Sequence, residues 1–126
     1  MFKRIDHVEI IPRDAEKAVK FYGEVLGFSL KDRIKIDKGP LEEVIFMGLG
    51  DTTLKIVSMK NPAPPSQEAV VGYRMMAIEV DNMEEAIAYL KGKGVEISVE
   101  PVSLAGGSKR AEIKDPDGLG IELRQW

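Results

Sequence analysis

The chain repeats itself. At an offset of 68 residues, Val8, Ile10, Ala18, Val19 and Phe21 fall on Met76, Ile78, Ala86, Ile87 and Tyr89, and Glu16 falls on Glu84. At an offset of 67, LKIV (54–57) falls on IELR (121–124), and Gly50 falls on Asp117 within the turn. Self-similarity at a fixed period means one supersecondary unit built twice, which leaves few folds open.

Each unit reads as strand, helix and three strands. RIDHVEIIP (4–12) is a β-branched run ending at a proline, which predicts a strand. RDAEKAVKFYGEVLGF follows as a helix with Asp14 as N-cap, with Ala18, Phe21, Tyr22, Val25 and Leu26 at helical spacing and Gly27 as its stop. Segments 28–37, 42–50 and 52–59 are strands separated by Gly-Pro and Gly-Asp turns. Segment 60–72 has three prolines and no periodicity, so it is a linker. The second unit runs through a strand at 73–80, a helix over DNMEEAIAYLKGKG, and strands at 95–102, 109–115 and 118–126. The expectation is an α+β fold in one domain of 126 residues, with module 1 at 1–59 and module 2 at 73–126. The two βαβββ modules are expected to form a curved mixed sheet around a central cavity.

Composition removes several function classes. A net charge of −3 with both signs interspersed leaves no basic footprint for nucleic acid. No apolar run approaches the roughly 18 residues that span a bilayer, and no signal peptide opens the chain, so a cytoplasmic protein without membrane attachment is expected. The absence of cysteine excludes disulfides, thiolate catalysis and Cys-based zinc sites.

Strand alternation then selects side chains. Ile121 and Leu123 share one face of the last strand, suited to helix packing, while Gly120, Glu122 and Arg124 share the other. Glu122 is therefore expected to point into the concavity. Its repeat equivalent is Lys55, and His7 in the first strand falls on Met75. Four related positions result: His7, Lys55, Met75 and Glu122.

IDHVEI (5–10), AVKFYGEVLGF (18–28), AIEVDNMEEAIAYLKGKGVEI (77–97) and DPDGLGIEL (115–123) together resemble the vicinal-oxygen-chelate superfamily, which includes glyoxalase I, methylmalonyl-CoA epimerase, extradiol dioxygenases and bleomycin resistance proteins. The resemblance implies one divalent metal (Zn, Ni, Co or Mn) held by His or Glu at those four positions. His7 and Glu122 match as ligands; Lys55 and Met75 depart from the pattern. An ammonium about 4 Å from a dication is repelled by roughly 8 kcal/mol at an effective dielectric of 20. The residues therefore point to Lys55 taking the cationic role and pairing with Glu122, with His7 nearby.

Two functions are expected from this set. One is a glyoxalase I-like (lactoylglutathione lyase-type) isomerase or lyase with a degraded metal site, in which Glu122 is the general base and Lys55 stabilises an enolate oxygen. The alternative is a metal-free small-molecule binding protein of the bleomycin-binding type. His7, Lys55, Tyr73, Arg74, Arg33 and Phe46 are the candidate substrate-binding residues. AGGSKR (105–110) reads as a rim loop that brings Lys109 and Arg110 near a carboxylate or phosphate. The aspartates of DPDG serve a turn, and the resemblance implies a homodimer.

Overall fold

A computed structural model describes residues 1–126 as two compact units, Met1–Pro64 and Pro65–Trp126. The division falls inside the predicted linker. The first unit contains β1 (Val8–Ile10), α1 (Ala15–Lys20), a π-helical turn (Phe21–Val25), β2 (Ser29–Lys38), β3 (Leu41–Leu49) and β4 (Thr52–Met59). The second contains β5 (Met76–Glu79), α2 (Met83–Gly92), β6 (Ile97–Ser103), a 3₁₀ turn (Ala105–Gly107), β7 (Lys109–Lys114) and β8 (Gly120–Gln125). Each unit forms one four-stranded mixed sheet, in the order β1-β4-β3-β2 or β5-β8-β7-β6. The first strand is parallel to the last and the other pairs are antiparallel.

Local chemistry explains the element ends. Asp14 accepts from the Lys17 backbone N–H at 3.1 Å, and Asn82 caps α2 through the Glu85 N–H at 3.0 Å. Each helix thus begins where a side-chain oxygen satisfies an orphan donor. The first helix does not run as one α-helix to Gly27. Its last turn widens, with the Leu26 N–H reaching the Phe21 carbonyl at 3.2 Å. Such a widened turn is a π-type irregularity. Gly27 closes it at a φ of 81°, the left-handed conformation that glycine adopts most readily at a helix end. In the Gly50-Asp51 hairpin, Gly50 has a φ of 57°. That conformation suits tight two-residue loops between antiparallel strands.

Each helix covers one face of its own sheet. In the first unit Ala18, Tyr22, Ile45, Met47, Leu54 and Ile56 are buried, with Tyr22 edge-on to Phe21 and Phe28. In the second, Met83, Ile87 and Leu90 of α2 are buried together with Ala111, Ile113, Ile121 and Leu123. Burying a side chain of this size stabilises by about 1.5–3 kcal/mol. The face of each sheet turned away from its helix is left to carry charge.

Candidate functional site

Register identifies which charged groups share those faces. Val8 stands opposite Leu54 and Met76 opposite Ile121, which bears out the 67-residue offset of the last strands. In the first sheet one cross-strand row runs Glu9, Lys55, Phe46, Asp32. The corresponding row of the second sheet runs Ala77, Glu122, Glu112, Val99. Lys55 and Glu122 thus occupy equivalent places on the faces turned away from the helices.

In module 1 these side chains form one connected string. Lys55 Nζ donates to Glu9 Oε1 at 2.9 Å, and the same oxygen lies 3.2 Å from His7 Nε2. His7 Nδ1 lies 2.8 Å from Asp6 Oδ2, and Lys55 Nζ sits 5.8 Å from the Phe46 ring centroid. His7 precedes β1 instead of lying within it, because the strand spans only Val8–Ile10. The hydrogen bond to Asp6, then that to Glu9, raises the imidazole pKa above 6.5, since both partners favour the charged form. Lys55, then His7, holds the Glu9 carboxyl below its usual range for the same reason.

Module 2 carries an arginine–glutamate lattice. Glu112 and Glu122 stand directly opposite one another on β7 and β8, a like-charge pair that destabilises a sheet unless it is compensated. Arg110 compensates both, pairing with Glu112 through Nη2 and donating from Nε to Glu122 Oε2 at 3.3 Å. Arg124 Nη1 donates to Glu122 Oε1 at 3.3 Å, and Arg74 Nη2 to Glu112 Oε1 at 3.4 Å. Met75 lies over Gly120, where an added Cβ would come within 3.2 Å of the methionine methyl.

Several expected roles change. Lys55 takes Glu9, not Glu122, as its carboxylate, and Glu122 takes arginines, so each charge is matched inside its own module. Arg33 does not join Phe46 and Lys55. It stands opposite the buried Ile45, on the helix side, and clamps Glu16 of α1 and Glu43 of β3, with Nη2 2.7 Å from Glu43 Oε1. Tyr73 and Arg74 precede β5, which begins at Met76, and Tyr73 is fully exposed. Lys109 and Arg110 lie in β7, not in a rim loop; Lys109 bonds Glu84 of α2, so only Arg110 reaches the lattice. The DPDG aspartate does serve its turn: Asp115 Oδ1 accepts from the backbone N–H groups of Asp117 and Leu119, both at 2.9 Å.

Sequence reasoning missed Glu9 and Glu112. Glu9 was accessible through alternation, since it lies two residues beyond His7 on the same strand side. Glu112 was not, because no local signal sets the β7–β8 register.

The residues at the four expected ligand positions do not fit a divalent ion. Such an ion needs lone pairs from neutral imidazole or free carboxylate. Both nitrogens of His7 contact carboxylates that favour the cation, and Lys55 is an ammonium bonded to Glu9. Met75 offers only a thioether, and both oxygens of Glu122 accept from guanidiniums. No cluster of three His, Asp or Glu side chains suited to a metal occurs.

The sequence profile of the Glyoxalase/Bleomycin resistance protein/Dioxygenase superfamily matches residues 4–123. The chain belongs to that superfamily. It is 34% identical to the uncharacterized Bacillus subtilis protein YwbC, with 99% of each chain covered. It is 28% identical to human mitochondrial methylmalonyl-CoA epimerase, covering 97% of this chain and 73% of that protein. The crystal structure of a glyoxalase family protein from Enterococcus faecalis superposes with a TM-score of 0.85 at 32% identity, covering 98% of both chains. No helix is long and apolar enough to cross a membrane.

Proposed function

We propose that this superfamily member binds a small oxygenated molecule without a metal, using Lys55 as its electrophilic group. One observation carries the reading: the Lys55 ammonium, held by Glu9 and backed by His7, stands at a position where the superfamily resemblance implies a metal ligand. An ammonium in that place donates a hydrogen bond to a carbonyl or carboxylate oxygen and supplies the charge that polarises it. Glu9 orients Lys55 and balances it in the empty state; a bound oxygen competes with Glu9 for Nζ.

The test is thermal melting of chelator-treated protein with Zn²⁺, Ni²⁺, Co²⁺ and Mn²⁺ added singly, and then with a panel of small carboxylates and carbonyl compounds. Ligand at 100 times its dissociation constant stabilises by about 2.7 kcal/mol, a rise of roughly 8–15 °C. The expected result is no rise with any ion and a rise with at least one panel member that is lost in Lys55→Met. A metal-dependent rise would overturn the proposal.

A second reading is favoured by the likeness to methylmalonyl-CoA epimerase: an isomerase or lyase in which Glu122 moves a proton next to a carbonyl. Glu122 would first have to release a guanidinium, since both its oxygens are paired. Assays for methylmalonyl-CoA epimerase and lactoylglutathione lyase activities test it, with turnover expected to vanish in Glu122→Gln. Turnover surviving that substitution removes Glu122 as the base. The homodimer implied by the family is tested separately by analytical ultracentrifugation.

A further inference from the structure

The lattice of module 2 carries more positive charge than its two carboxylates consume. Arg74, Arg110 and Arg124 surround Glu112 and Glu122, three cations to two carboxylates, with Lys114, Glu79 and Glu96 farther out on the same side. Arg110 is committed, since it bridges both glutamates. The other two are not. Arg74 is 71% exposed, reaching Glu112 at 3.4 Å and the weak thioether acceptor of Met75 at 3.5 Å. Arg124 spends Nη1 on Glu122, while its Nε is buried without any acceptor. An unmet donor on a permanently charged group is costly, and an incoming oxyanion removes the cost. The Trp126 ring stacks on Arg124, 4.3 Å from guanidinium carbon to ring centroid, while remaining 77% exposed. That ring covers the guanidinium and can swing aside, because little else holds it.

We infer that Arg74 and Arg124 form an oxyanion subsite of module 2, taking a ligand's carboxylate or phosphate group beneath Trp126. The guanidinium fork suits both groups, since each presents paired oxygens. Arg74 captures from solvent and Arg124 completes the clamp through its unused N–H. Arg110 stays with the glutamates and keeps the lattice intact, so binding does not require the sheet to open. The subsite does not depend on Lys55 or on any metal.

Trp126 is the only tryptophan, so its fluorescence reports directly on this place. The whole chain is titrated with inorganic phosphate and, separately, with malonate, sodium chloride holding ionic strength constant. A saturable fluorescence change is expected with one or both anions, and which of them saturates assigns the group. Arg74→Gln, at an exposed position that folding tolerates, is expected to weaken binding about fivefold, the equivalent of about 1 kcal/mol. Arg124→Lys keeps the charge but loses the fork, and is expected to weaken it at least as much, with melting curves confirming both folds. Lys20→Met, which removes an exposed cation of α1 outside the lattice and away from Lys55, is expected to leave the titration unchanged. A response that never saturates, or one unchanged in Arg74→Gln and Arg124→Lys, overturns the inference; so does loss of the response in Lys20→Met.

Discussion

Replacing Arg33 with methionine should destabilise module 1 without touching ligand binding, and the loss should fade in acid. Arg33 holds Glu43 in a two-pronged pair, Nε to Oε2 at 3.2 Å and Nη2 to Oε1 at 2.7 Å, and reaches across to Glu16 of α1. Methionine keeps the apolar stem and removes only the fork. The Glu43 side chain is 15% exposed and that of Arg33 32%. The pair therefore sits between the exposed limit of about 0–1 kcal/mol and the buried limit of about 3–5 kcal/mol. The Glu16 contact, with its carboxylate 69% exposed, adds little. A loss of about 2 kcal/mol follows, lowering the melting midpoint by roughly 6–12 °C. Arg33 also holds the Glu43 carboxyl below its usual 4.5. A lowered carboxyl stabilises the fold above the unfolded value and loses that contribution as pH falls through the folded one. The gap between wild type and Arg33→Met should therefore be full near neutrality, begin to close below pH 4.5 and vanish once Glu43 is protonated in both. Urea denaturation followed by circular dichroism across that range measures it. A gap that is absent at neutral pH, or that persists unchanged in acid, refutes the clamp.

His7 is the sole histidine, so one imidazole resonance reports its titration. Its midpoint should lie above 6.5, held there first by Asp6 and then by Glu9, and Glu9→Gln should lower it. Because the folded value is raised, this group's stabilisation is complete below 6.5 and disappears as pH rises through the folded midpoint. A midpoint at or below 6.5 would mean that the Asp6–His7–Glu9 string does not hold in solution. Asp115→Ala removes the acceptor of two backbone N–H groups at a buried site. Leaving those donors unmet should cost about 1–3 kcal/mol in denaturant unfolding, and a loss well below that range would mean that water replaces the carboxylate.

The element order was legible because each signal was local. Alternation in GIEL put Ile121 and Leu123 on the helix side and Glu122 on the other, as the burial bears out. Asp14 announced a helix start, and the repeat fixed the equivalence of Lys55 and Glu122. The partners of these groups were not legible, since ion pairing depends on register between distant strands. Nothing local says that Arg110 bridges Glu112 and Glu122, or that Arg33 turns toward α1. The surroundings of Arg33 and Tyr73 were not legible either. Arg33 lies within β2, where a one-residue difference in phase decides the face, and Tyr73 lies before β5 begins at Met76. The short β1 had the same origin: the β-branched run of 4–12 signals extended backbone, but only Val8–Ile10 finds a partner in β4.

The two modules have kept one side of their sheets and rewritten the other. Where strands face a helix, the repeat pairs like with like, Leu54 with Ile121 and Ile56 with Leu123, and the helices themselves pair Ala18 with Ala86. Where they face away, it pairs Lys55 with Glu122 and Glu9 with Ala77, and the strand neighbours Phe46 and Glu112 differ as much. A strand that alternates sides therefore works as a partition. Packing holds one set of positions to apolar side chains of similar size, while the set beside it can exchange a cation for an anion, or an aromatic ring for a carboxylate, with the backbone left in place. A fold duplicated on this plan begins with two copies of one face and can end with two different chemistries, because changing what the protein recognises does not require changing what makes it fold.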